Sequence, residues 1–411
     1  LETRPVTNVR GRSFVSYRRS AGFDVRKLVD AQHVRGIPTW QDISNLDAGP
    51  TEDQLREIIR DPDTANGVMW LTRDVSASPT IMRVEAPELF ARARMDDQFF
   101  LIPIATGGFG YDDAAEMFLG MNDAADLRTW NLRKEPDSQK AATKAAQLVL
   151  QRRVRALHET MEKGEPVVAG LYVREPAPQP TYQGLLVDWS RHINKRVAPQ
   201  ATWNDVLLPA LGDIAHTIRV FAPGRPVVAE GQGSVPSAIA LGYFFSAEQD
   251  ARLAWRQRTR GRSDQLWSLD VPRVPTGFAA VTRADDVSGT ALAVLVSVTE
   301  NVRPALSVSH ATTPSFRAIV EVSHPERRPP HDLSNAGEAL DVAKTTIEAT
   351  RRARSDYLGI EQIHVFAAVP FGLAALLGQL LNTLGPVQTY EHVPVDARGR
   401  YELGCRLSPI H

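Results

Sequence analysis

The stretch that decides the fold lies between Phe14 and Phe90, and three pieces of it carry chemistry: Phe14-Val-Ser-Tyr-Arg-Arg19, Trp40-Gln-Asp-Ile-Ser-Asn-Leu-Asp-Ala-Gly49 and Ile81-Met-Arg-Val-Glu-Ala-Pro-Glu-Leu-Phe90. The first is a short apolar strand running straight into Arg18 and Arg19. The second is a polar loop that follows another strand, Ile37 to Trp40. The third sets Glu85 at the start of an amphipathic segment. Between them, Ala21 to Arg35 reads as a helix carrying Val25, Leu28, Val29 and Ala31, with Gly36 as its left-handed stop. Glu52 to Arg60 reads as a helix with Leu55, Ile58 and Ile59 on one side. Val68 to Leu71 and Phe99 to Ile104 are continuous apolar runs, as expected of parallel strands covered on both faces. The pattern is βαβαβα, which predicts a parallel sheet wound by right-handed crossovers, with its strand C-termini as the working face.

Further along, Asp112 to Arg133 reads as a helix, a loop and a last edge strand around Trp130. Ser138 to Lys163 reads as a long helix stopped by Gly164, which closes a first domain at residues 1–163. In the remainder, 164–411, strands are expected at Val167 to Val173 and, after a Pro-rich break, at Leu185 to Trp189. Arg225 to Ala229 is a strand, Gly231-Gln232-Gly233-Ser234-Val235-Pro236 is the turn after it, and Ala238 to Ser246 is a helix of small and apolar residues. The plan recurs: strand Ile363 to Val369, turn Pro370-Phe371-Gly372, helix Leu373 to Leu381. Between the two copies lie strands at Ala291 to Thr299 and Ala318 to Val322, and a helix at Asn335 to Tyr357. Two strand–turn–helix units with proline at the joint predict a duplicated α/β fold.

The bulk composition sets limits. A chain of 411 residues, 43% hydrophobic and 23% charged, has ample material for two or three globular cores. A formal net charge of −1 gives no global pull toward nucleic acid or an anionic membrane. Cys405 is the only cysteine, so neither an intramolecular disulfide nor a cysteine zinc site is available. There is no apolar run of about 18 residues and no signal-peptide core, so the expected location is cytoplasmic. The start at Leu1 rather than methionine reads as processing or trimming. No GxxxxGK[ST], HExxH or GxSxG string occurs, and the ten histidines lack metal-ligand spacing; no metal and no bound cofactor are expected. A run of Arg252, Arg256, Arg258, Arg260 and Arg262 around Trp255 reads first as a solvated face, and no motif for double-stranded nucleic acid is visible.

The three opening strings, in that order and approximate spacing, resemble TIR domains, in particular those that cleave NAD⁺. The resemblance implies a flavodoxin-like parallel-sheet domain, with Glu85 as the carboxylate beside the ribose. Arg18, Arg19, Trp40, Asp42 and Asp47 would line or shape the site, although core filling is the better reading of Trp40. Glu88 is the rival carboxylate. The family's tryptophan shortly before the glutamate is replaced here by Ile81. Residues 164–411 resemble a SAVED domain of two fused CARF-like, Rossmann-like halves. The residues that carry this are His364-Val-Phe-Ala-Ala-Val-Pro-Phe-Gly-Leu-Ala-Ala-Leu-Leu-Gly378 and Val387-Gln-Thr-Tyr390, supported by Val294-Leu-Val-Ser-Val-Thr-Glu300. This second resemblance implies a cyclic-oligonucleotide site at strand C-termini, with Gly231 to Ser234, Ser297, Thr299 and Pro370 to Gly372 as contacts. Together the two imply an anti-phage effector of the CBASS type. In it, a cyclic oligonucleotide, cyclic tri-adenylate first, drives self-assembly into filaments and NAD⁺, as substrate, is cleaved. The alternative is an adaptor that oligomerises on ligand binding and only recruits partners.

Overall fold

The computed structural model describes residues 6–40, 51–118, 121, 132–177, 184–194, 196–246, 253–258, 263–309, 313–394 and 399–408. The chain divides into two compact units: Leu1–Lys163 with Pro178–Val187 and Val220–Pro223, and the remaining residues from Gly164 to His411.

In the first unit, β1 (Arg12–Tyr17) leads through a 3-10 turn into α1 (Gly22–His33), then β2 (Thr39–Trp40), α2 (Thr51–Arg60) and β3 (Thr64–Leu71). A π-helical turn, Ile81–Glu85, opens α3 (Ala86–Met95), and β4 (Phe100–Ala105), α4 (Tyr111–Met117), β5 (Arg133–Lys134) and α5 (Ser138–Thr160) follow. The sheet order is β2-β1-β3-β4-β5 with every pair parallel. This is the flavodoxin-type order, and it reverses direction between β1 and β3. All of β3 is buried, which explains why its sequence is a continuous run rather than an alternation. The core on one side of the sheet gathers Phe14, Trp40, Ile81, Val84, Phe90, Phe99 and Phe118.

Two expectations need correction here. The long helix ends at Thr160, with Met161 already extended, and Gly164 lies in the turn beyond it at φ +86°. The outer strand is Arg133–Lys134, while Trp130 lies outside the described residues. The start of α5 follows from Asp137, whose side chain accepts the Lys140 N–H at 2.8 Å.

The second unit begins with β6 (Val167–Tyr172); the short strand β7 (Gly184–Asp188) lies in the first unit up to Val187. After these come α6 (Leu208–Phe221), β8 (Val227–Gln232), α7 (Val235–Phe244), β9 (Leu253–Gln257) and β10 (Gln265–Ser268). Strands β6, β8 and β9 pair in parallel and β10 runs antiparallel, in the order β10-β9-β8-β6. The next elements are β11 (Ala279–Ala284), β12 (Ala291–Ser297), β13 (Phe316–Ser323), α8 (Ala336–Asp356) and β14 (Gln362–Ala368). They are followed by α9 (Phe371–Leu381), β15 (Val387–Val393) and β16 (Arg400–Leu407). These strands form a six-stranded sheet ordered β11-β13-β12-β14-β15-β16, parallel in the middle and antiparallel at both edges.

The two strand–turn–helix units are therefore β8–α7 and β14–α9. Both helices are apolar almost all round, because each is packed on several sides. They meet backbone to backbone. A Cβ added at Gly242 would stand 2.1 Å from the Ala375 carbonyl oxygen, and one at Gly378 would stand 2.1 Å from the Ile239 carbonyl oxygen. The sequence expectation placed Gly231 and Gln232 in a turn, but both belong to β8, opposite Leu171 and Tyr172. The turn is shorter and α7 starts earlier, because Ser234 caps it and Pro236 sits in its first turn, where no N–H is required.

Candidate functional site

In open parallel sheets, ligands bind outside the strand C-termini where the strand order reverses. In the first unit that place lies between β1 and β3. Arg18 and Arg19 leave β1 there, and the segment after β3 carries Glu85. The glutamate ends the π-helical turn, in which the Ala86 N–H bonds back to the Ile81 carbonyl. Pro87 supplies the cause, since it cannot donate to the carbonyl of Arg83 and its ring crowds that turn. Only 8% of Glu85 is exposed. Glu88 is occupied: Arg60 holds it through two hydrogen bonds at 2.8 and 2.6 Å. Glu85 is the more deeply buried of the two.

The rim of the crevice is built by a residue the sequence reading passed over. Asp74 accepts hydrogen bonds from Ser20 and Thr72 and pairs with Arg18 at 3.8 Å, tying the segment after β1 to the segment after β3. The Ser20 and Thr72 hydroxyls, with Arg18 beside them, hold the Asp74 carboxyl below the usual carboxylate range. Arg19 is exposed in the 3-10 turn. Trp40 is a core residue, its ring stacked on Phe14 with centroids 5.1 Å apart. Asp42 and Asp47 lie outside the described residues.

In the second unit, the turns before α7 and α9 come together with the β9–β10 hairpin. Trp255 packs against Phe371 with ring centroids 6.0 Å apart and lies 3.6 Å from a Cβ placed on Gly233. The Gly372 N–H donates to Gln257 Oε1 at 3.0 Å, and a Cβ at Gly372 would stand 2.6 Å from the Trp267 ring. Gly231 has φ +116° and no room for a side chain, with the Leu171 carbonyl oxygen 2.5 Å from where a Cβ would be. Ser234 and Ser237 are committed to capping: Ser234 Oγ accepts the Ser237 N–H at 3.2 Å, and the Ser234 N–H donates to Ser237 Oγ at 2.8 Å. Ser297 Oγ is likewise used locally, accepting the Val302 N–H at 3.2 Å, while Thr299 is exposed and its N–H donates to the Ala368 carbonyl at 2.8 Å.

Two further residues at this edge were not singled out from sequence. Arg174, just after β6, pairs with Glu391 of β15 at 3.6 Å and lies 6.0 Å from the Phe371 ring centre. Burial drives the Glu391 carboxyl up to about 7, against the opposing fields of Arg174, Arg196 and the Val235 N–H. From the arginine run, Arg256 is paired with Glu230 at 2.8 Å, and Arg258 is exposed near Asp264. The edge thus offers cations, aromatic faces and glycine turns at the carboxyl ends of strands. A cavity of about 290 Å³ lies instead at the amino ends, lined by Ala291, Gln362, His364 and Arg406. Among the described residues, no cluster of His, Cys, Asp and Glu could hold a metal ion, and no helix is long and apolar enough to cross a membrane.

Residues 213–407 match the model of the SAVED family, the SMODS-associated and fused to various effectors sensor domain. The matched residues run from α6 to β16 of the second unit. The chain is similar to the solved Acinetobacter baumannii Cap4 SAVED/CARF-domain containing receptor with the cyclic trinucleotide 2′3′3′-cAAA. The identity is 17%, the TM-score 0.50, and the match covers 88% of this chain and 86% of that one. The Moraxella osloensis Cap4 SAVED/CARF-domain containing receptor is 15% identical, with a TM-score of 0.45 and the same coverage, 88% and 86%. At such identity the first likeness shows the fold, a mixed α/β architecture of Rossmann-like parallel sheets. A search of curated proteins found no match.

Proposed function

We propose that the chain is a ligand-gated NAD⁺ glycohydrolase of anti-phage defence. In this reading the SAVED module binds a cyclic oligonucleotide, cyclic tri-adenylate first, and the first unit acts as a TIR domain. The observation that carries the enzymatic half is Glu85, a buried carboxylate that ends the π-helical turn packed against β1. The sensing half is supported by the family match over residues 213–407 and by the fold shared with a receptor solved with 2′3′3′-cAAA.

The chemistry asks for little machinery. Nicotinamide leaves NAD⁺ from a cationic state, so no general acid is needed to protonate it. The ribose passes through an oxocarbenium-like transition state, which a nearby carboxylate stabilises, more strongly where water is excluded. Glu85 supplies that charge, and Arg18, fixed by Asp74, stands where a diphosphate would lie. In the second unit, the turns before α7 and α9 and the Arg174 guanidinium meet the ligand's phosphates, and the ring of Phe371 offers a face to a base. Ligand binding drives head-to-tail self-assembly, and a heterologous contact that does not close gives a filament. Assembly then completes the NAD⁺ site between neighbouring copies, which keeps the unassembled enzyme silent. The test is Glu85→Gln on the full chain with cyclic tri-adenylate. Light scattering should report assembly as before while nicotinamide release is lost. Retained release would remove Glu85 from the chemistry.

A further inference from the structure

The joints before α7 and α9 correspond in the two halves, yet they are plugged differently. At α9 the first-turn N–H of Gly372 is taken by the neutral side chain of Gln257. At α7 the first-turn N–H of Val235 acts on a carboxylate, Glu391, which is 5% exposed. One oxygen, Oε1, stands 3.6 Å from Arg174, and the other, Oε2, has no hydrogen-bond partner. The remaining charged and titratable groups around it are Arg196, Tyr401 and, beyond Tyr401, Glu300. Arg196 is the single non-glycine residue at positive φ among the described residues, at +77°. Arg174 itself is half-exposed, with its guanidinium directed to both Glu391 and Phe371.

We propose that Glu391 is a resident anion that occupies the phosphate position at the α7 N-terminus, and that a phosphodiester of the ligand displaces it to take Arg174 and the Val235 N–H. The identity of that ligand rests on the sensor reading above; the anion site itself does not. A helix N-terminus carries a partial positive charge that attracts an anion, and an arginine beside it adds a planar fork suited to phosphate. In the free protein the chain supplies this group from β15, as the anion above the pH of about 7 to which burial raises it. That anion is poorly compensated, because half of its carboxylate lacks a donor and its distance to Arg174 is long for a charge-assisted bond. A tethered competitor of this kind lowers apparent affinity by the fraction of time it fills the site, and so sets a threshold for the ligand.

The experiment is isothermal titration of the full chain with two probes, cyclic tri-adenylate and inorganic diphosphate. Glu391→Gln removes the charge and keeps the shape, and Glu391→Ala serves as the second variant. Both should bind tighter than wild type, by about tenfold for Glu391→Gln, the scale of a modest coupling between ligands. Arg174→Gln should weaken binding, and adding Glu391→Gln to it should restore none of the loss. A gain with diphosphate but no binding of cyclic tri-adenylate by any variant would keep the anion site and refute the nucleotide. Unchanged or weaker binding of both probes by both Glu391 variants would overturn the proposal, since a structural role or direct acceptance of a ligand N–H yields no gain.

Discussion

Glu85 and Glu88 stand on one side of the same helical segment, and their neighbours give them different fates. Arg60 neutralises Glu88 at the surface, so Glu88→Gln is expected to leave NAD⁺ cleavage within about twofold, as surface ion pairs contribute little. Glu85→Gln should lower cleavage by about 100-fold or more, the scale for losing a group that stabilises transition-state charge. Nicotinamide release by the two variants under activating ligand checks both. A second residue-scale prediction concerns pH. Burial pushes His364 down to about 4 from 6.5, while its Nδ1 lies 2.8 Å from the Tyr390 hydroxyl; burial pushes Glu391 up to about 7 from 4.5. Between pH 4.5 and 6.5 the unfolded chain holds the proton on the histidine and the native chain holds it on the glutamate. The two linkage effects therefore cancel. The lowered histidine gives stability that is lost as pH falls toward 4, and the raised glutamate gives stability that is lost as pH rises toward 7. In Glu391→Gln only the histidine remains, and stability should rise with pH by about 1.4 kcal/mol per unit in this window. Urea unfolding of variant and wild type at several pH values measures it, and parallel profiles would refute it.

At the scale of elements, the two glycines between α7 and α9 are the most demanding positions. Gly242→Ala or Gly378→Ala would place a methyl within 2.1 Å of a carbonyl oxygen on the facing helix. The helices must part, at a cost of about 1–3 kcal/mol, the range for overpacking a tight core. Thermal unfolding checks this, and an unchanged melting temperature would show that the helices separate freely. The strand–turn–helix units were legible in sequence because their strands are unbroken apolar runs and proline marks both joints. The start of α7 was not, since Ser234 and Pro236 were read as turn residues although a serine cap and a first-turn proline begin helices equally well. The β9–β10 hairpin was missed for another reason. Its arginines drew attention as a charge run, while the alternation of buried Leu253 and Trp255 with their half-exposed neighbours carried the strand signal. Glu391 was invisible as well, because nothing in the string around it indicates that a carboxylate from one strand lies at the N-terminus of a helix more than a hundred residues earlier.

At the scale of the whole molecule, one chain joins a flavodoxin-type sheet to a second unit of which residues 213–407 match the SAVED family model. The account makes the second unit the input and the first the output. Neither half needs a cofactor in this scheme: the ligand is a nucleotide, the substrate is NAD⁺, and the coupling is self-assembly. Substitutions at the input edge should therefore shift the ligand concentration needed, whereas Glu85→Gln should abolish the output at any ligand concentration. The most direct measurement is NAD⁺ consumption by the purified full chain, alone and with a panel of cyclic di-, tri- and tetranucleotides, with Glu85→Gln run in parallel. The account predicts consumption with cyclic tri-adenylate and no consumption without ligand or in the variant. Ligand-driven assembly with NAD⁺ left intact under every condition would contradict it and identify an adaptor.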